Sequence, residues 1–255
     1  MARKAPAHGY DESKVKTLSS LEHIRLRPGM YIGRLGEGTD PDDGIYIMLK
    51  ETIDNGVDEY IMGYGKKIDI TVDDATVGVR DYGRGIPLGK VIDCVSVINT
   101  GAKYNDDVFQ FSVGLNGVGS KAVNALSSHF RVVSYRNGKY FEAIFESGKL
   151  KKKKEGRRSG EPDGTYVEFV PDHEMFEDYA FVPEYIEQRL WNYACLNSGL
   201  QLVYNKKKYM ARKGLLDFLT REIGETAVYD PAHYRSQYLE FSFTHTTSYG
   251  ETFFS

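Results

Sequence analysis

One short segment, LKETIDNGVDEY at positions 49–60, combines a helical apolar stripe with concentrated negative charge. At about 100° per residue, Leu49, Ile53 and Val57 share one side of a helix, which predicts that this side packs on a core. The opposite arc carries four polar residues, Glu51, Asp54, Asn55 and Asp58. A solvated acidic face is the ordinary explanation, although like charges three and four positions apart repel. The other explanation is catalytic, because an amide between carboxylates suits a hydrated cation and a water nucleophile.

The composition excludes several classes of protein. A chain of 255 residues with 41% hydrophobic content predicts one large domain, or one domain and part of a second. Its net charge of −3 argues against a module whose main task is binding nucleic acid. Cys94 and Cys195 form neither a metal-binding spacing nor a disulfide framework, which fits a cytoplasmic protein. No apolar run is long enough to span a membrane, so we expect no membrane partner.

The order of the predicted elements favours an α+β fold over a doubly wound parallel sheet. Helices are predicted at 19–26 and 43–62, and alternating residues predict a hairpin of strands at 68–72 and 77–81. Further strands follow a glycine-rich loop and a helix. The basic stretch LKKKKEGRRSGEPDG, beginning at Leu150, is predicted to be a solvated hairpin tip, with a phosphate-contacting loop as the alternative.

Three segments are expected along the chain. Residues 1–18 form a flexible N-terminal arm, residues 19–228 the main domain, and residues 229–255 the truncated start of a second domain. In this last segment an alternating strand precedes a turn at SYG, and a further strand then begins. The final apolar pair, Phe253 and Phe254, has no partner strand to follow it, which is unusual for the end of a domain.

Two loops concentrate glycine. RDYGRGIP at 80–87 directly follows a predicted strand, and GLNGVGSK at 114–121 directly precedes a predicted helix. Successive backbone N–H groups at a helix start can bind a phosphate that glycine allows to approach closely. The order of residues matches neither the P-loop nor the dinucleotide-binding fingerprint. Either loop alone is also compatible with an ordinary turn.

The set of motifs is more specific than any single one. Along the chain come E-x-x-D-N, D-x-G-x-G, G-x-x-G-x-G and G-T, an order that resembles the GHKL ATPase family. The stretches RPGMYIG, ETIDNGVDE, DYGRGIP, GLNGVGSKAVNALS and DGTYVEFVPD are similar to the ATPase subunits of bacterial type II DNA topoisomerases. GLNGVG and the short link before NTGAKY resemble the topoisomerase IV branch more than the gyrase branch. The alternative is a nucleotide-gated dimerisation module of a chaperone or a mismatch-repair protein.

The resemblance implies a Bergerat α/β sandwich, in which helices cover a mixed, mostly antiparallel sheet, followed by a transducer domain. It implies ATP and Mg²⁺ as ligands and a homodimer that closes as a clamp when ATP binds. Its implied partners are DNA, a DNA-cleaving subunit in a heterotetramer, and ATP-competitive inhibitors.

The same resemblance implies roles for individual residues. Glu51 matches the general base, Asn55 the Mg²⁺ ligand, Asp81 the acceptor of the adenine amino group, and Thr165 a hydroxyl that shares a water with it. Asp54 and Asp58 match supporting positions. Other implied ATP contacts are Arg84, Gly85, Ile86 and Pro87 around the base, Lys103 in a lid, Leu115, Asn116, Gly117, Val118 and Gly119 at the phosphates, and Tyr10 of the arm, with Arg136 at the inhibitor-binding rim.

Some positions depart from the family pattern. Ile47 stands where many members have a histidine that orients the water, and Asn116 replaces the usual histidine of the glycine loop. Phe109 and Phe111 flank a lid position that is often tyrosine. The segment 104–113 has neither a helical nor a strand period, which predicts a mobile lid before the phosphate loop. Secondary contacts to the nucleotide are therefore expected to differ from the pattern.

Overall fold

The computed structural model describes residues 15, 17–101 and 117–253 of the chain. The predicted lid and most of the predicted arm lie outside the described residues. The same holds for four predicted site residues, Tyr10, Lys103, Leu115 and Asn116.

Seven α-helices are present in the described residues, and most of the predicted ones are confirmed. The first begins after Ser19, whose side chain accepts from the backbone N–H of Glu22, while the Glu22 side chain accepts from the backbone N–H of Ser19. This reciprocal capping box satisfies N–H groups that a helix start leaves unpaired. In chain order the helices are α1 (Ser20–Leu26), α2 (Gly29–Ile32), α3 (Gly44–Ile61), α4 (Val91–Ser96), α5 (Gly119–Ala125), α6 (Pro183–Leu196) and α7 (Leu215–Ile223).

Eight of the described strands form one sheet, in the order β5-β4-β3-β6-β2-β1-β7-β8. All neighbouring pairs in it are antiparallel except β1 and β7, so the predicted mostly antiparallel α+β fold is confirmed. The strands are β1 (Lys67–Asp73), β2 (Thr76–Asp81), β3 (Ser127–Arg136), β4 (Lys139–Glu146), β5 (Lys149–Arg157), β6 (Gly164–Pro171), β7 (Gln201–Tyr204) and β8 (Lys207–Tyr209), with β9 (Ala232–Arg235) and β10 (Glu240–Phe243) in a separate pair.

The structure corrects two local predictions. The basic stretch predicted as a hairpin tip is mostly β5, because its backbone pairs with β4 from Lys149 to Arg157. The strand predicted to begin after the SYG turn is absent from residues 251–253, the described part of that segment. Near the C-terminus the strand pairing is instead between β9 and β10. The proposed boundary at residue 229 stays a prediction.

Helix α3 lies against the sheet at the centre of the fold. Its predicted apolar side is confirmed, since Leu49, Ile53 and Val57 are all buried. A Cβ atom at Gly56 would lie 2.8 Å from Ile68 Cδ1 and 3.1 Å from Asp81 Cβ, so α3 approaches β1 and β2 closely there. This contact sets α3 directly above the carboxyl end of β2.

A buried carboxylate, Asp172, joins α1 to the end of the sheet. It accepts hydrogen bonds from Arg25 Nη1 at 2.8 Å, Ser147 Oγ at 2.9 Å and the Glu174 backbone N–H at 3.1 Å. Burial alone would raise the pKa of Asp172, but the Glu174 N–H and then Arg25 and Ser147 outweigh it and hold the pKa below its usual value. The ionised form therefore stabilises the folded state.

We expect Asp172→Asn to lower the free energy of unfolding by about 2–4 kcal/mol at pH 7, because Arg25 loses its charged partner. A depressed pKa contributes stability above the unfolded value, and this stability is lost as the pH falls through the lower folded value. The difference between wild type and variant should therefore shrink below about pH 4 in urea unfolding. Asp178→Asn, at an exposed position nearby, is the matched control. A variant as stable as wild type at pH 7 would contradict this assignment.

Candidate functional site

Two of the four residues in the polar arc of α3 are buried. Asp54 is 1% exposed and Asp58 is fully buried, so a solvated acidic face is wrong for both residues. Lys50 Nζ donates to Asp54 Oδ2 at 2.6 Å, and the hydroxyl of Tyr193 donates to Asp54 Oδ1. Burial and then the Asp54 charge raise the pKa of Tyr193, which keeps its hydroxyl a donor. Lys50 and Tyr193 thus offset the buried charge of Asp54.

The other two arc residues, Glu51 and Asn55, face the start of α5. A Cβ at Gly119 would lie 2.7 Å from Glu51 Cδ and would overlap Glu51 Oε2, so a larger residue there would displace the Glu51 carboxylate. The Glu51 side chain is 29% exposed, and Lys50 Nζ lies 4.0 Å from its Oε1. Asn55 Nδ2 donates to the Glu51 carbonyl at 2.8 Å and to Ser120 Oγ at 3.3 Å. A partly exposed carboxylate and an oriented amide therefore lie beside the backbone of the glycine loop.

The glycine loop is described from Gly117 onward. Gly117 has a φ of +59°, in the left-handed region that favours glycine, and Val118 is the N-cap of α5. Lys121, in the first turn of α5, is buried and its Nζ donates to the Thr100 carbonyl at 2.7 Å. These contacts anchor the loop to the segment that follows α4.

Asp81 ends β2 as a buried carboxylate. Its Oδ1 accepts from the Gly83 N–H at 2.9 Å, and both of its oxygens lie 3.2 Å from the Thr165 backbone nitrogen. Burial raises the pKa of Asp81 to about 6, although the Gly83 and Thr165 N–H groups oppose this effect. An acidic group with a raised pKa in a confined place is a common property of binding and catalytic sites.

The loop after Asp81 is held in place from β3. Ser134 Oγ donates to the Ile86 carbonyl at 2.6 Å, and Arg136 Nη1 donates to the Gly85 carbonyl at 3.0 Å. Gly85 has a φ of +73°, and a Cβ there would overlap the Tyr135 carbonyl, which explains the glycine. Pro87 follows Ile86 and begins a short 3₁₀ helix at 88–90. Each end of the loop is therefore fixed to a regular element.

Arg84 forms the outer edge of this loop. Its guanidinium donates to Glu59 at 2.9 and 3.0 Å, and its Cζ lies 4.2 Å from the centre of the Tyr64 ring. A Cβ at Gly83 would lie 2.7 Å from Glu59 Cβ, so the loop touches the last turns of α3. Glu59 thus holds Arg84 at the outer edge of the loop after Asp81.

Two clusters of predicted site residues result, and α3 connects them. The first contains Glu51, Asn55, Gly117, Val118 and Gly119, and the second contains Asp81, Arg84, Gly85, Ile86, Pro87, Arg136 and Thr165. From Glu51 to Gly56, where α3 meets Asp81, the helix rises by about 7.5 Å. The structure therefore brings together every predicted site residue that it describes.

Several groups that hold these residues carry no signal in the sequence. Tyr193 is 139 positions from Asp54, and Ser134 is 48 positions from Ile86, so no local pattern connects either pair. The Glu59–Arg84 ion pair was likewise not predicted.

Among the described residues, no helix is long and apolar enough to cross a membrane, and no three His, Cys, Asp or Glu side chains are grouped for a metal.

Known proteins resemble this chain in sequence. Residues 40–175 match the family model described as histidine kinase-, DNA gyrase B- and HSP90-like ATPase. The chain is 61% identical over 247 residues to the B subunit of DNA topoisomerase 4 from Borreliella burgdorferi, covering 96% of this chain and 41% of that protein. It is 32% identical over 270 residues to the B subunit of DNA gyrase from Thermotoga maritima, covering 95% of this chain and 42% of the relative.

A solved structure matches the fold as well. The 43K ATPase domain of Thermus thermophilus gyrase B, in complex with an aminocoumarin, superposes with a TM-score of 0.75 at 29% identity, covering 91% of this chain and 64% of that one. The chain spans less than half of the length of the two curated relatives. The family model nevertheless covers more than half of the chain, and the chain belongs to the histidine kinase-, DNA gyrase B- and HSP90-like ATPase family.

Proposed function

We propose that this chain is the ATP-binding and ATP-hydrolysing part of a type II DNA topoisomerase, equivalent to the start of the topoisomerase IV B subunit. The observation that carries the proposal is the contact of Glu51 with Gly119, about one and a half helical turns from the buried Asp81. Helix α3 carries the carboxylate that can activate water, contacts the phosphate-binding backbone at the start of α5, and contacts the polar acceptor for a base at the end of β2.

Asp81 is suited to recognise adenine. Its carboxylate is buried and oriented by two backbone N–H groups, and it can still accept a hydrogen bond from an exocyclic amino group. Guanine presents a carbonyl at the corresponding position, which would face the carboxylate unfavourably. Gly85 and Ile86, fixed by Ser134 and Arg136, form the adjacent wall.

Glu51 is suited to accept a proton from the attacking water. It is partly exposed, as a group that contacts a water molecule must be, and a carboxylate so placed can act as a general base. The glycine-rich start of α5 places backbone N–H groups next to this carboxylate, where the terminal phosphate would lie. The carboxylate and the phosphate-binding backbone are therefore adjacent.

The residues present fit a magnesium ion. The Asn55 amide nitrogen donates to the Glu51 carbonyl and to Ser120, which turns the amide oxygen, a ligand for hard cations, to the other side. The structure groups no three acidic, histidine or cysteine side chains in the part of the chain it describes. Mg²⁺ usually keeps several of its waters and needs only one or two protein ligands in addition to substrate phosphates. Bound there, Mg²⁺ would neutralise phosphate charge while Asn55 holds it.

The relatives are named as B subunits of DNA topoisomerase 4 and DNA gyrase, and these names support a wider function. We infer a homodimer that closes when ATP binds, strand passage of duplex DNA, a DNA-cleaving partner subunit, and susceptibility to ATP-competitive inhibitors. Identity of 61% to a B subunit of topoisomerase 4, against 32% to 39% to B subunits of gyrase, favours the topoisomerase IV type. A gyrase-type subunit is the second candidate. Decatenation and supercoiling assays of the full-length subunit with its partner distinguish the two.

We expect Asp81→Asn to weaken ATP binding by about 10- to 150-fold. Loss of a charged, well-placed acceptor costs roughly 1.5–3 kcal/mol. Calorimetric titration with ATP and GTP measures both affinity and base preference. Asp73→Asn, at an exposed position on β1, is the control. Unchanged preference for ATP over GTP in Asp81→Asn would remove Asp81 from base recognition.

The same variant should change how stability depends on pH without nucleotide. A pKa near 6 in the folded state, against about 3.9 unfolded, makes the ionised Asp81 cost roughly 3 kcal/mol above pH 7. Wild type should gain this stability as the pH falls from about 6 to 4, whereas Asp81→Asn should not. Urea unfolding at pH 5 and pH 8 measures the effect. Parallel pH profiles would show that burial does not destabilise the ionised Asp81.

We expect Glu51→Gln, in the full-length subunit, to bind ATP normally and to hydrolyse it about 10²- to 10⁴-fold more slowly. The amide keeps the shape of the side chain but cannot accept the proton from water. Steady-state hydrolysis and nucleotide titration separate the two effects, with Glu184→Gln on the exposed start of α6 as control. Turnover within a few-fold of wild type would exclude Glu51 as the base.

A further inference from the structure

The open edge of the large sheet is strongly basic. β5 is its terminal strand, and every residue of β5 is exposed except the half-buried Gly156. Positions 149–158 contain seven lysines and arginines and one glutamate, a net charge of +6. The whole chain carries −3, so its remaining residues carry −9. Residues 149–158 therefore carry a local excess of positive charge, and a shorter run of three lysines, Lys206–Lys208, lies at the opposite edge of the sheet.

Most of this charge is not neutralised by the protein. Among the described residues, no carboxylate lies within 4.0 Å of the amino groups of Lys152, Lys153 or Lys154. Glu142, opposite Lys154 on β4, is already bound by Arg131 at 2.6 Å. The ion pairs of this stretch lie toward its ends, where Lys151 Nζ is 3.1 Å from Glu146 and Arg158 Nε is 3.6 Å from Glu161.

The strand geometry presents these charges as a line. Neighbouring residues of a strand point to opposite faces, so Lys152 and Lys154 lie on one side of the edge and Lys153 on the other. The nine residues of β5 extend for about 26 Å. A duplex of that length contains about eight base pairs. Long lysine side chains on both sides of an edge can follow its phosphates.

The basic line leads to the rim of the candidate site. In the strand register, Arg157 of β5 lies opposite Lys139 of β4, and Lys139 lies opposite Arg136 of β3. Arg136 in turn holds the loop after Asp81. The strand register thus continues the positive charge from the open edge to the candidate site.

Protection against aggregation is the ordinary reason for lysine on an edge strand. Natural edges use charged side chains, a short strand or a bulge for that purpose. β5 has a register irregularity beside Lys151, and it also has nine residues and four consecutive lysines, Lys151–Lys154. The opposite edge, β8, has three residues. Edge protection alone does not explain the length or the charge of β5.

We propose that the β5 edge binds the phosphate backbone of duplex DNA, a partner that rests on the proposed topoisomerase function. The contacts are electrostatic and independent of base sequence, so binding weakens steeply with salt. The surface is separate from the nucleotide site but joined to its rim through Lys139. It would supply a nucleic-acid contact in a chain whose net charge, −3, does not indicate one.

The test measures binding of a fluorescein-labelled 30-base-pair duplex by anisotropy at 50, 100 and 200 mM KCl. The variant replaces Lys152, Lys153 and Lys154 with glutamine. We expect affinity at 100 mM KCl to fall by on the order of tenfold, and the slope of log K against log salt to flatten by about 2.7, or 0.9 for each lost phosphate contact. The matched control replaces Lys206, Lys207 and Lys208, at the opposite edge of the same sheet, with glutamine.

The control should stay within about twofold of wild type. An equal loss in both triple variants would overturn the proposal, since only net charge would matter. Displacement of the duplex by polyglutamate as effective as by unlabelled duplex would also overturn it, and would indicate an acidic protein partner. ATP titration of the same three proteins separates the two hypotheses. Nucleotide binding without duplex binding rejects the β5 surface alone, whereas duplex binding without nucleotide binding rejects the proposed function.

Discussion

The close contact between α3 and the end of β2 at Gly56 fixes the geometry of the whole site. A Cβ atom at this position would crowd Ile68 and Asp81, so a larger residue would require these side chains or the helix to shift. With the helix in place, Glu51 lies five residues before the contact and Glu59 three residues after it. A second glycine contact, between Gly119 and Glu51, brings α5 to the same helix. Gly56 inside α3 and Gly119 at the first position of α5 therefore set the distances between the carboxylates and the loops.

The same packing forces charge into the protein, where it must be compensated. A buried carboxylate without partners costs several kcal/mol, and pairing offsets this only when the geometry is good. Asp54 has Lys50 and the Tyr193 hydroxyl on its two oxygens, and Asp172 has Arg25, Ser147 and a backbone N–H. Most of these partners come from elements distant in the chain, so the contacts also join α3 to α6 and α1 to the sheet.

The buried charge of Asp81 is compensated less completely, and the pKa of this carboxyl is therefore raised. Its hydrogen-bond partners are neutral backbone N–H groups, which orient the carboxylate without neutralising it. Such an ionised carboxylate lowers the stability of the folded protein, and its oxygens can still accept a hydrogen bond from a ligand. Functional sites commonly hold destabilising features of this kind, which the surrounding structure tolerates because it is well packed. The opposite pKa shifts of Asp81 and Asp172 fit the binding role proposed for Asp81 and a structural role for Asp172.

Local sequence patterns were sufficient to predict the α+β class, the helix at α3, the hairpin of β1 and β2, and the position of both glycine loops. Apolar periodicity, glycine and capping residues act within a few positions of each other, so a single chain displays them directly. The burial of Asp54 and Asp58, the Tyr193 contact and the Glu59–Arg84 pair depend instead on how distant elements pack. Composition likewise predicted a solvated tip for the lysine-rich stretch, since charge near the surface is ordinarily in a loop. Backbone pairing with β4 made it a strand, because strand formation requires a neighbouring strand whose position the local pattern does not contain.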